Sequence, residues 1–151
     1  RGTRAIEKAI WSPDGKRIAY WILRADEIVI ADIQGKAASK IKGDGVTPRI
    51  GNFSPSGSKV VYTKLFGDAL FVHDCRTHKT TEICRMDGFV NTPSFSPDGK
   101  WIAFQFNETS PRKTAGRWDV YVVPASGGKP VCLTPGFDGH SIAPCWRPKP
   151  D

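Results

Sequence analysis

The sequence predicts an all-β fold of tandem four-stranded antiparallel sheets, and three observations predict it. A turn phrase recurs at constant spacing, each copy leads into a β-branched and aromatic run, and no stretch carries convincing helical periodicity. The phrase reads Ser12-Pro13-Asp14-Gly15-Lys16-Arg17-Ile18-Ala19-Tyr20, then Ser54-Pro55-Ser56-Gly57-Ser58-Lys59-Val60-Val61-Tyr62, then Ser96-Pro97-Asp98-Gly99-Lys100-Trp101-Ile102-Ala103-Phe104. The three serines follow one another at 42 residues. Proline presets φ at the second place of a tight turn, Asp or Ser tolerates the bridge region after it, and Gly accepts a positive φ without steric cost. The apolar run that follows suits a strand buried between two sheets.

The elements follow in order within each unit. In the first, strands are expected over residues 5–11, 16–22, 27–32 and 37–42, with Gly43-Asp44-Gly45 ending the unit. The second repeats this over 49–53, 59–64, 69–74 and 80–84, closed by Asp87-Gly88. The third runs over 92–95, 100–106, 119–123 and 130–134, with an inserted loop over 107–116 and the punctuation Asp138-Gly139. Residues 142–148 restart the cycle, with Trp146 where Trp11, Phe53 and Phe95 stood. Phe95 to Trp146 is 51 residues, an excess that matches the loop. Four short strands per unit fit the blade of a β-propeller. The chain thus divides into blades of about 5–42, 48–84 and 91–134 and the start of a fourth at 142–148, thirteen strands in all.

Composition places the 151 residues among globular chains: a quarter are charged, and no apolar run nears the roughly 20 residues of a membrane-spanning helix, so no membrane insertion is expected. Arg1-Gly2-Thr3-Arg4 shows no signal-peptide pattern and no initiator Met, so removal of upstream residues is expected. The net charge of +7 favours anionic partners in general. The positive residues are scattered, with no Lys/Arg-rich run and no nucleic-acid motif. A dispersed, solvated surface is therefore the plainer reading, and nucleic acid is not an expected partner.

Four cysteines form two sequence-near couples, Cys75 with Cys84 and Cys132 with Cys145. A hairpin turn near Thr77 and His78 places Cys84 opposite Phe71, too far along the ladder from Cys75 for a disulfide. Cys132 and Cys145 fall on strands of different sheets, so free thiols are expected.

The phrases Trp11-Ser12-Pro13-Asp14-Gly15-Lys16 and Phe95 to Phe104, with Val120-Tyr121-Val122, Gly127-Gly128 and Leu133-Thr134, resemble the TolB-type propeller repeat over nearly the whole chain. The resemblance implies a WD-like ring of four-stranded blades, about six or seven in a full circle. It also implies an exported or periplasmic bacterial setting and mostly protein-interaction roles. Related propellers serve prolyl-oligopeptidase-like enzymes. Ser56 and Ser58 depart from the Asp and Lys of the pattern, and Pro124 replaces an expected Asp.

Candidate chemistry is sparse. His73, Cys75 and His78 form a His-x-Cys-x-x-His cluster, but a metal would need a further ligand, and His73 takes a strand position filled by Ala31 and Val123 elsewhere. Ser96 and Asp98 with His140 or His78 suggest a hydrolase only superficially: the serines belong to repeated turns, and no Gly-x-Ser-x-Gly elbow is present. Gly43-Asp44-Gly45 and Ser126-Gly127-Gly128 lack the Lys-Ser/Thr of a phosphate loop. No enzyme activity, metal or cofactor is therefore expected. Among the large aromatics Trp101 is expected in the core. The unique insertion and the tail point instead to partner binding by Arg112, Lys113, Arg117, Trp118, Cys145 and Trp146.

Three blades cannot close a ring. The favoured expectation is a half-propeller that closes as a six-bladed homodimer and docks another protein, as an accessory or assembly subunit. The alternative is a fragment of a longer propeller, either a cell-envelope binding protein or the non-catalytic propeller of a peptidase or carbohydrate-active enzyme. The fourth blade that begins at 142 favours the fragment. The lost Asp-Gly signature and terminal prolines after Trp146 favour a stop.

Overall fold

The computed structural model describes residues 6–22, 26–108, 118–135 and 144–146, which form three four-stranded antiparallel meanders. Blade one consists of β1 (Ile6–Trp11), β2 (Arg17–Ile22), β3 (Glu27–Asp32) and β4 (Ala37–Lys42). Blade two consists of β5 (Pro48–Phe53), β6 (Lys59–Lys64), β7 (Ala69–Asp74) and β8 (Thr80–Arg85). Blade three consists of β9 (Phe89–Phe95), β10 (Trp101–Asn107), β11 (Trp118–Pro124) and β12 (Val131–Cys132). Chain order is sheet order in every blade, so each strand pairs with the next one made. This is the all-β, partial propeller that the repeat predicts. The third blade departs at its limits. β9 starts at Phe89 because Val90 pairs with Phe106 and is buried, and β12 keeps two residues beyond Pro130, which has no N–H to donate.

The repeated turns are built alike. Gly15, Gly57 and Gly99 take φ of 67°, 69° and 72°, and each N–H donates to the carbonyl of the serine that opens its turn. Ser12 Oγ donates to Asp14 Oδ1 at 2.5 Å and accepts from Arg17 N at 2.9 Å. Ser96 Oγ does the same with Asp98 at 2.6 Å and Trp101 N at 3.0 Å. These serine hydroxyls, and then the backbone N–H two residues beyond each aspartate, hold both carboxyls below their usual range. In blade two Ser56 stands in for the carboxylate and holds the turn with a longer contact, Ser54 Oγ to Ser56 Oγ at 3.2 Å. Successive turns also touch, since Arg17 Nη2 donates to the Gly57 carbonyl at 2.8 Å.

Side chains alternate across each strand, so every blade offers one face to the preceding blade and one to the next. Ala19, Trp21, Ile28, Ile30 and Ile41 of blade one meet Ile50, Phe53, Val60 and Tyr62 of blade two. Val61, Leu70, Val72, Ile83 and Cys84, on the opposite face of blade two, meet Val90, Phe95, Ile102, Phe104, Phe106 and Val123 of blade three. The first strands run closest together: a Cβ on Gly51 would collide with the carbonyl oxygen of Pro93, so only glycine lets β5 approach β9.

One register differs from the sequence expectation. The ladder leaves the turn with His73 opposite Thr80, two residues from the register of a turn centred on Thr77 and His78. A bulge between Leu70 and Phe71 takes one of them back, so Cys84 pairs with Leu70 and Phe71 with Glu82. The separation from Cys75 remains, and all four cysteines are free thiols. Cys145 lies outside any strand, whereas Cys132 ends β12.

Candidate interaction faces and polar clusters

The two ends of the array carry the surfaces that the interior blades bury. Trp11 is 63% exposed, while Phe53 and Phe95 in the same repeat position are 4% and 5% exposed. Ile18 and Tyr20 are half-buried where Val60, Tyr62, Ile102 and Phe104 are buried. At the other end Leu133, next to the Tyr121–Cys132 pair, is 55% exposed. Its counterparts Ile41 and Ile83 are 4% and 8% exposed. Ala103 and Gln105, nearer the first strand of blade three, are covered. The same apolar pattern is written three times, and among the described residues its copies at the two ends stay exposed at Trp11 and Leu133.

Trp118 opens β11 beside the insertion and belongs to a row of aromatics. Its ring stacks on Phe89 with centroids 6.4 Å apart, and Phe89 meets Phe66 at 5.6 Å. Phe66, 69% exposed, stands at the tip of the β6–β7 connection with φ of 56°. Phe66 and Phe89 are the members that sequence reading missed. A lone Phe in a loop and another at a strand start give no sign that the turns bring them side by side. Arg112, Lys113 and Arg117 lie outside the described residues. Cys145 is exposed, and Trp146 donates its indole N–H to the Ser94 carbonyl at 3.0 Å. That bond seats residue 146 against β9, at the flank where the first strand of a fourth blade belongs. Trp118 thus stands at the start of β11, whereas Trp146 meets β9 from outside any strand. Trp101 is not a core residue. It is 41% exposed because Ile102 takes the inward direction of β10 and Arg17 and Lys59 mark the same outward position.

The histidine cluster has a structural geometry. His73 Nε2 and His78 Nδ1 converge on Ser39 Oγ, at 2.9 and 3.1 Å, and His73 Nδ1 meets Thr80 Oγ1 at 3.0 Å. One hydroxyl hydrogen cannot serve two imidazoles, so at least one ring N–H must be directed at Ser39. Ser39 and His73 are buried between blades one and two, which denies the pair a substrate, and the third member is a hydroxyl where a triad needs a carboxylate. Burial, and then the neighbouring His78, push the His73 pKa below its ordinary value. Cys75 turns instead toward the apolar packing between the blades, where burial pushes its thiol up. Among the described residues no group of three His, Cys, Asp or Glu side chains converges to hold a metal. Ser96 and Asp98 are spent on their own turn, and His78 belongs to Ser39.

Among solved structures, TolB from Acinetobacter baumannii superposes with a TM-score of 0.64 at 24% identity, over 90% of this chain and 33% of its own. The chain thus spans about a third of that protein's length, and at this identity the likeness speaks for the fold. The sequence profile of the TolB beta propeller domain matches residues 2–151, and the chain therefore belongs to the TolB-type β-propeller family.

Proposed function

We propose that this chain is a non-enzymatic protein-interaction module, an incomplete propeller whose end faces are completed by further blades supplied by a second copy. The observation that carries the reading is the exposure of Trp11 where Phe53 and Phe95 are buried. An apolar blade face left open is an association site, and two-fold pairing is the commonest way to close one. Three blades from each copy give a six-bladed ring. The row Phe66, Phe89 and Trp118, with the adjoining insertion that holds Arg112, Lys113 and Arg117, then offers a rigid aromatic anchor for another protein. The family points to an exported, periplasmic setting.

A second reading takes the missing blades from the same polypeptide. The 33% coverage of the Acinetobacter baumannii structure favours it. Light scattering or sedimentation at micromolar concentration separates the two. A mass of twice 16.6 kDa, reverting to one copy with Trp11→Asp, supports the homodimer. A single-copy mass that Trp11→Asp leaves unchanged overturns it.

A further inference from the structure

Where the first strands of the three blades come together, two buried N–H donors lack an acceptor. Trp21 is 6% exposed, and its indole Nε1 has no hydrogen-bond partner among the described residues. Arg49 Nε is buried in the same condition. The Arg49 guanidinium lies over the Trp21 ring, with Cζ 5.9 Å from the centroid. The cation–π contact sets the guanidinium against the ring, and Nε is the donor of its planar fork that still lacks an acceptor among the described residues. Lys8 Nζ donates to the Ile50 carbonyl at 3.1 Å, which uses one of its three donors. Burial pushes the Lys8 pKa down, the shift of an ammonium with no anion beside it to offset desolvation.

These residues border a cavity of about 230 Å³ with Asn91, Thr92 and Pro93, so all three blades contribute to its wall. Among the described residues no Asp or Glu lines it. Its polar side holds two cations, and its remaining wall includes the Trp21 ring and Pro93. Thr92 sits on that wall with φ of 45°, a left-handed conformation that a β-branched residue adopts only under strain. Asn91 Oδ1 accepts the Thr92 N–H at 3.0 Å, and Thr92 Oγ1 donates to Gln105 at 2.8 Å, which together hold the conformation. Strain of this kind, a net positive lining and buried donors without acceptors coincide at one place.

We propose that this cavity binds a carboxylate carried on a short aliphatic stem. The planar edge of Arg49 matches two carboxylate oxygens, Lys8 supplies the second charge, and Trp21 and Pro93 suit the methylenes, which an inorganic oxyanion lacks. The site stands on residues of this chain alone.

The test is nuclear magnetic resonance of the indole N–H groups, with Trp21 assigned by Trp21→Phe. Titration at constant ionic strength uses butyrate as the free acid, N-acetylglutamate α-amide as the side-chain form, butyramide as the neutral isostere and inorganic phosphate. The expected result is a saturable shift of Trp21 with butyrate that butyramide does not produce. Arg49→Gln should weaken binding at least tenfold with the other indole signals in place, and Lys8→Met, at a more exposed position, several-fold. Binding of the glutamate amide as well extends the site to acidic side chains, and binding of butyrate alone restricts it to free acids. No shift, an equal shift with butyramide or chloride, a shift with phosphate only, or full binding in both charge variants would overturn the proposal.

Discussion

Trp11 and Phe53 occupy the same place in consecutive repeats, yet one faces solvent and the other is sealed against blade one. The difference is not in the residues, since both are large aromatics that close the inner end of a blade. It lies in the neighbour. A repeat protein writes the same adhesive face each time, and burial is conferred by the next unit. The interior junctions are therefore where stability resides, and the ends are where the apolar face stays open. The two interior junctions differ as well. The one between blades two and three pairs Val123 with an apolar surround, whereas the one between blades one and two places His73 against Ser39.

The largest expected effect contrasts interior with end. Phe104→Ala, in a fully buried position, should cost about 3–5 kcal/mol in denaturant unfolding. Tyr20→Ala, its counterpart on the open face of blade one, should cost well under half of that under conditions where the chain is monomeric. Equal costs would mean that the blade-one face is already covered. Next comes Gly51→Ala, whose methyl would drive β5 away from the Pro93 carbonyl; about 1–3 kcal/mol should be lost. No loss would show that β5 and β9 separate freely.

A smaller effect separates the two junctions. His73→Val installs the residue that blade three uses at this position and leaves Ser39 and Thr80 each short of a partner, at a cost of roughly 1–3 kcal/mol. The pH dependence has a defined sign. His73 has a folded pKa below the ordinary 6.5, so its contribution is intact above 6.5 and is lost as pH falls from there through the folded value. His78, Ser39, Thr80 and Asp74 are the groups that face it. Stability measured between pH 7.5 and 5 should fall for the native chain, and His73→Val should flatten that slope. An unchanged slope would move the titration to another group.

The blade count, the turn residues and most strand limits were legible in the chain because proline, glycine and the small polar residues act locally. Ser12, Asp14 and Gly15 need only one another to make their turn. The repeat also aligns Val60 with Ile102, both fully buried. Trp101 was misread because an aromatic in a strand says nothing of which side it takes, and the alternation set by Ile102 decides that. Cys84 was placed one residue off because the turn closes two residues from the expected centre, with His73 opposite Thr80, and a bulge that leaves no local mark takes one residue back. Trp21 carried a signal that went unread: it stands where Thr63 and Gln105 stand, an aromatic in a polar position.

By itself the sequence determined a repeating, all-β meander with glycine turns, since those depend on backbone preferences and on the period of side-chain alternation. Only the tertiary structure decided which copies of the apolar face are buried, that Ser39 would meet His73, and that Lys8, Trp21 and Arg49 would border one cavity. Those outcomes join residues many positions apart, and the forces that set them, burial and the need of buried donors for acceptors, act between blades rather than along the chain.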